Sequence, residues 1–272
     1  MAKTFIKMHG LGNDFAIFDG RSQKSDMTPG KIRSLADRQT GIGFDQMVII
    51  EPAKSTDTDV FLRIYNADGS EVGACGNASR CVAKLLIFEL KRPEVVMETK
   101  AAKLKAHMSG GKVTVDMGEV HLKWQEIPLS HEEHVNFIPI NVGELKQPSA
   151  VNVGNPHAVF FVKEVNKIPL ETLGPQIEHH PLFPERTNVE VAEILSPSRI
   201  RMKVWERGVG ITQACGTGAC AVAVAGVRRG LTGRQVTVVL DGGELDIEWR
   251  ESDNHVLMTG DAVEVYRGEV DL

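Results

Sequence analysis

Apolar and polar residues alternate with a period of two through much of the chain. "KVTVDM" from Lys112, "QVTVVLD" from Gln235, "LDIEW" from Leu245 and "AVEVY" from Ala262 each put every second side chain on one face, which predicts half-buried strands. Three segments read as helices instead: "KIRSLADRQ" from Lys31, "NASRCVAKLLIFEL" from Asn77 and "TGACAVAVAGVRRG" from Thr217. The last is small and apolar nearly all round, as for a helix enclosed by protein. The pattern predicts a mixed α+β protein, with mostly antiparallel strands wrapped around one central helix per half. A parallel βαβ fold is the alternative, but long helices do not alternate with the strands as it requires.

The halves themselves come from an internal repeat. "GNDFAIF" from Gly12 is echoed by "GNPHAVF" from Gly154, and "FDQMVII" from Phe44 by "RTNVEVA" from Arg186, both 142 positions on. "LRIYNADGSEVGACG" ending at Gly76 aligns with "RMKVWERGVGITQACG" ending at Gly216, and "VVMETKAAKL" from Val95 with "VVLDGGEL" from Val238. Four matches in one order predict an old duplication into residues 1–117 and 118–262, with the tail 263–272 returning to the first half.

Composition narrows the function. With 272 residues, 42% hydrophobic and 25% charged, the chain has the make-up of a globular protein with room for two cores. A net charge of −5 without a long basic run argues against a nucleic-acid partner. The N-terminus lacks the apolar core of a signal peptide, and "ACAVAVAGV" from Ala219 is too short to cross a bilayer. The expectation is a cytoplasmic protein, not membrane-bound, whose four cysteines are thiols.

Several motifs fail on inspection. Cys75 and Cys81, and Cys215 and Cys220, lack the tight pairing of a strong zinc site, and the histidines of "HEEH" and "HH" lie in polar, proline-flanked stretches. "NADGS" at Asn66 does not place calcium ligands at the first and twelfth positions of a loop. "GTGACA" at Gly216 has the form of a dinucleotide fingerprint but no strand runs into it. Neither a metal nor a cofactor is expected.

The duplicated Ala-Cys-Gly is more telling. Gly76-Asn77 and Gly216-Thr217 suit a tight turn and helix start. A thiol at a helix N-terminus feels the positive end of the dipole, which lowers its pKa, and the same N–H groups bind a carboxylate. Cys81 and Cys220, further along, are expected to be packing residues. Two facing thiol sites suit inversion of a carbon stereocentre: one thiolate removes a proton from one face and one thiol delivers a proton to the other. Polar residues recur in register with the cysteines, Asn13 with Asn155, Gln46 with Asn188 and Asn66 with Glu206. Arg207 offers a bidentate contact for a carboxylate, and His157 and Glu206 are placed to tune the thiols.

"NADGSEVGACGNASR" (Asn66 to Arg80), with "GLGNDF", "GNPHAV", "ERG" and "ACGTGACA" in that order, resembles the diaminopimelate epimerase family over essentially the whole chain. Ala78 stands where that family often has glycine. The resemblance implies a cofactor-independent enzyme that interconverts LL- and meso-diaminopimelate, in lysine and peptidoglycan synthesis. It implies Cys75 and Cys215 as the acid/base pair, and Asn13, Gln46, Asn66, Asn155, Asn188, Glu206 and Arg207 as substrate-holding residues. Gly76-Asn77 and Gly216-Thr217 would give backbone donors, and His157 and Glu206 would modulate the cysteines. Two pseudo-symmetric domains closing over the substrate, commonly as a homodimer, are also implied. The alternatives are a proline-racemase-type enzyme of the same fold, an amino-acid binding protein without chemistry and a thiol redox protein.

Overall fold

A computed structural model of the protein describes residues 2–22 and 26–271. The chain forms two compact units, Met1–Asp116 with Gly260–Leu272, and Met117–Thr259.

In the first unit the elements run β1 (Ala2–Gly10), β2 (Asn13–Asp19), α1 (Pro29–Ala36), β3 (Gln46–Pro52), β4 (Val60–Asn66), β5 (Glu71–Val72), α2 (Gly76–Leu90), β6 (Glu94–Glu98), β7 (Lys103–Ser109) and β8 (Lys112–Glu119). In the second they run β9 (Asn141–Val142), β10 (Leu145–Lys146), β11 (Ser149–Asn152), β12 (Pro156–Phe161), α3 (Leu170–Glu178), β13 (Asn188–Ser196), β14 (Arg199–Glu206), β15 (Gly210–Ile211), α4 (Gly216–Arg228), β16 (Gln235–Leu240), β17 (Gly243–Trp249) and β18 (His255–Gly260). The last strand, β19 (Val263–Asp271), belongs to the first unit, where it lies antiparallel to β1 with Ala2 opposite Asp271.

The two pairing schemes match step for step. β1 pairs antiparallel with β2, and β11 with β12. β2 then runs parallel to β3, with Phe15 opposite Gln46, and β12 parallel to β13, with His157 opposite Asn188. Antiparallel turns into β4 and β14 follow, and Gln46 faces Asn66 across the first of them. A second parallel step, β4 to β6 and β14 to β16, spans α2 and α4, and antiparallel hairpins finish each sheet. Each sheet is thus antiparallel except where a helix bridges two strands. The β7–β8 hairpin turns at Gly110 and Gly111, whose φ of 57° and 84° only glycine adopts freely.

The helices form where the sequence supplies caps and an apolar face. Thr28 accepts from the Lys31 N–H at 3.3 Å and Pro29 sits in the first turn of α1, which buries Ile32 and Leu35 against Phe44, Phe5 and Phe18. α2 ends at Lys91 in the left-handed conformation, just before Pro93. α4 is buried along most of its length and packs on β11, β12, β13, β14, β16 and β17. Its end closes in a Schellman turn, with Leu231 N–H donating to the Gly226 carbonyl at 2.9 Å and Gly230 at φ 68°.

α3 was not expected from the sequence. Gly174 and Pro175 interrupt its interior, and proline removes one helical hydrogen bond. The helix survives because it is packed: a Cβ on Gly174 would lie 2.6 Å from the Trp205 ring, and the Trp205 indole N–H donates to Glu178 at 2.7 Å. Leu170, Leu173 and Ile177 join the core of the second unit.

Candidate functional site

The repeated topology brings the candidate residues of each half to one end of its sheet. Asn13 begins β2, Gln46 begins β3, Asn66 ends β4, and Cys75, Gly76 and Asn77 start α2. In the second unit Asn155 precedes β12, His157 lies within it, Asn188 begins β13, Glu206 ends β14 with Arg207 in the turn beyond, and Cys215, Gly216 and Thr217 start α4.

Both cysteines are N-caps in extended conformation, with φ −149° at Cys75 and −121° at Cys215. At Cys75, half-buried, the sulfur lies 3.9 Å from Asn13 Oδ1. The Asn77 amide donates to the same oxygen at 3.2 Å, and Asn77 Oδ1 accepts from the fully buried Arg80 at 2.8 Å. Asn13 is held from behind by Asp45, to which its amide donates at 3.0 Å. Arg38 ties Asp45 to Asp14 at 2.7 and 2.8 Å, and Lys7 reaches Asp14 at 2.6 Å. Burial works to raise the Asp14 carboxyl, but hydrogen bonds from Arg38 and Lys7 hold it well below the usual carboxylate range. Nearby, Gln46 donates to Asn66 at 3.0 Å, and Asn66 donates to Ser70 at 3.2 Å.

Cys215 sits differently. Its sulfur is buried, accepts from the Gly218 N–H at 3.4 Å and lies 3.5 Å from the Thr217 hydroxyl. The expectation of a lowered pKa at both helix starts is overturned here: burial, then the charges of Glu206 and Glu190, push this thiol well above its ordinary value. Desolvation and two carboxylates outweigh the helix dipole. Glu206 is itself raised, by burial foremost and by Glu190 next, with hydrogen bonds from Thr212 and Cys215 opposing. Thr212 donates its hydroxyl to Glu206.

His157 is fully buried, with Nδ1 2.7 Å from Glu190 Oε1 and Nε2 2.8 Å from Asn155 Oδ1. Asn188 uses both ends of its amide on backbone, donating to the Pro156 carbonyl and accepting from the Arg207 N–H, each at 2.9 Å. It thereby braces the turn that carries Arg207, whose guanidinium also donates to the Glu185 carbonyl at 3.0 Å.

Three groups escaped the sequence reading. Glu190 lies inside the apolar "NVEVA" of β13, where Val48 stands in the first half, so no matched polar position marks it. Thr212 has no polar counterpart, and the Asp14–Arg38–Asp45 cluster backs Asn13 without lying in the cysteine motif.

Comparison with known proteins shows what the chain as a whole is similar to. The sequence model of the family described as Diaminopimelate epimerase matches residues 5–123 and 149–265. A diaminopimelate epimerase of Rhodospirillum centenum is 51% identical over 271 residues, covering 99% of this chain and 93% of that one. One from Erythrobacter litoralis is 51% identical over 272 residues, covering 100% of this chain and 98% of its own. Among solved structures, a probable proline racemase from Agrobacterium radiobacter K84 with bound carbonate has a TM-score of 0.71 at 17% identity, covering 99% of this chain and 93% of that chain; this likeness is one of fold.

Proposed function

We infer the function from one premise: this chain belongs to the diaminopimelate epimerase family. It is an isomerase that interconverts LL- and meso-2,6-diaminopimelate, a step of lysine and peptidoglycan synthesis, by moving a proton at the α-carbon. The observation that carries the reading is the occurrence of one N-cap cysteine at the same place in each repeated topology.

The chemistry follows from what each half offers. An α-proton beside an ammonium and a carboxylate is removed by one cysteine as thiolate, and the other, as thiol, protonates the opposite face. The carbanion places charge on the substrate carboxylate, and each helix start, Gly76-Asn77 and Gly216-Thr217, offers N–H groups of the kind that stabilise such charge. Cys215 is the proton-bearing partner, because burial and two neighbouring carboxylates favour its neutral form. That leaves Cys75 as the base, its sulfur 3.9 Å from the side-chain oxygen of Asn13. Asn13, Gln46, Asn66, Asn155, Asn188, Glu206 and Arg207 hold the ammonium and carboxylate groups of the substrate, and its second amino-acid centre calls for charges of both signs such as Glu206 and Arg207 supply.

The protein works in the cytoplasm, a reducing compartment that keeps both cysteines as thiols. It acts as a homodimer, with Val263, Val265 and Tyr266 of β19 as an exposed apolar row suited to a second copy.

The test is solvent exchange. Reduced enzyme in deuterium oxide, without pyridoxal phosphate or added metal, is expected to incorporate deuterium at the α-carbon of LL-diaminopimelate and to yield the meso form. Absence of both would overturn the reading, and exchange with proline in place of diaminopimelate would redirect it to the racemase alternative.

A further inference from the structure

Glu190 is a fully buried carboxylate in the middle of an apolar strand, and the first unit shows that the fold does not require it. By strand register, Phe15 and Val48 stand where the second unit has His157 and Glu190, and Ala78 stands three residues after its N-cap cysteine as Gly218 does after Cys215. All three residues of the first set are fully buried and apolar. The second unit thus replaces a phenylalanine, a valine and an alanine with a histidine, a glutamate and the space that glycine leaves. A Cβ on Gly218 would come within 2.9 Å of Glu190 Oε1 and 3.3 Å of Cys215 Sγ. The carboxylate and the sulfur therefore flank the same glycine at the start of α4.

One oxygen of Glu190 lies 2.7 Å from His157 Nδ1, and the other, Oε2, is buried with no hydrogen-bond partner among the described residues. A buried oxygen left unpaired is costly, so its place calls for a reason beyond packing. The Glu190 oxygen at Nδ1 and the Asn155 oxygen at Nε2 hold the imidazole ring from both nitrogens and fix its orientation. We propose that Glu190 is a positioning residue for epimerisation: its carboxylate orients His157 and Asn155 and holds negative charge beneath Cys215, so that this half-site keeps the proton it delivers. The proposal rests on the epimerase reading above. The groups that face Cys215 are Glu190 from β13, Glu206 from β14, and Thr217 and the Gly218 N–H from α4; His157 of β12 faces the two glutamates. Of the charged ones, Glu190 is the one that also grips the histidine.

The experiment compares Glu190→Gln with Glu190→Asp in the full chain. Glutamine keeps the shape and can still accept from Nδ1, but the charge is gone; aspartate keeps the charge. With Glu190→Gln, kcat is expected to fall by roughly 10- to 100-fold. The alkaline limb of kcat/KM, in the direction in which Cys215 donates, should move to lower pH, because removing the carboxylate eases thiol ionisation. Glu190→Asp should keep the wild-type limb. An unmoved limb in Glu190→Gln, or Asp behaving like Gln, would overturn the proposal. Wild-type enzyme that exchanges no α-proton would instead overturn the epimerase reading, so the two failures are separable. If Glu190→Gln does not fold, the double variant His157→Phe/Glu190→Val, which installs the pair the first unit already carries, gives the second readout. Alkylation of Cys215 by iodoacetamide should then begin at lower pH than in wild type, and an unchanged profile would overturn the proposal.

Discussion

Phe15 and His157 hold the same position in two copies of one topology, each paired in parallel register with the first residue of the next strand, Gln46 and Asn188. Both are fully buried. The first position is closed with hydrocarbon; the second carries a hydrogen-bonded chain from Glu190 through His157 to Asn155. One repeated topology thus carries an apolar lining in one copy and a polar one in the other.

Removing one member of that chain should cost more than removing both. His157→Phe leaves the Glu190 carboxylate buried without its partner, which is expected to destabilise by about 3–5 kcal/mol. Adding Glu190→Val should recover much of the loss. Urea unfolding of the two variants checks this, and equal losses would contradict it.

The cysteines should separate by direction. Cys75→Ala and Cys215→Ala are each expected to lower epimerisation by roughly 10²- to 10⁴-fold. Cys215→Ala keeps the base, so it should still exchange the α-proton of one isomer without inverting it. Cys75→Ala depends on a thiolate that burial and carboxylates disfavour, and should exchange the other isomer more slowly at neutral pH. Proton NMR in deuterium oxide follows both.

Asp14 should contribute to acid sensitivity. Its carboxyl is held low by Arg38 and Lys7 against the opposing effect of burial. A group lowered in the folded state stabilises at pH above its unfolded value, about 3.9, and that stability is lost as pH falls toward the folded one. Asp14→Asn is therefore expected to cost about 1.5–3 kcal/mol at pH 7. The gap to wild type should narrow below about pH 4, as denaturant titrations across pH would register.

Gly174→Ala should strain the contact between α3 and Trp205, where the added methyl would sit 2.6 Å from a ring atom. The expected cost is about 1–3 kcal/mol, despite the better helix propensity of alanine. A thermal melt that rises instead would contradict the packing account.

The duplication and the cysteine motifs were legible because they repeat: Asn13, Gln46 and Asn66 each have a polar counterpart at a nearly constant spacing, and the turns are marked by glycine. What does not repeat was hidden. Glu190 replaces a valine in an alternation that looks purely structural, and only the fold brings its carboxylate under Gly218. α3 was masked by Gly174 and Pro175, two residues that disfavour a helix interior, and the Trp205 ring shows why the glycine is there. The ionisation of Cys215 depends on side chains from separate strands, which no local motif records, whereas the helix start it shares with Cys75 is local and was read correctly.

The pairing of β19 with β1 sets an order of assembly. Ala2 meets Asp271 across that ladder, so the strand that completes the first unit follows the whole of the second unit along the chain. The second unit, Met117–Thr259, can close while the edge of β1 still waits for its neighbour. Synthesis from the N-terminus therefore finishes the later-encoded unit first, and the half that bears Cys75 is completed only with the closing strand.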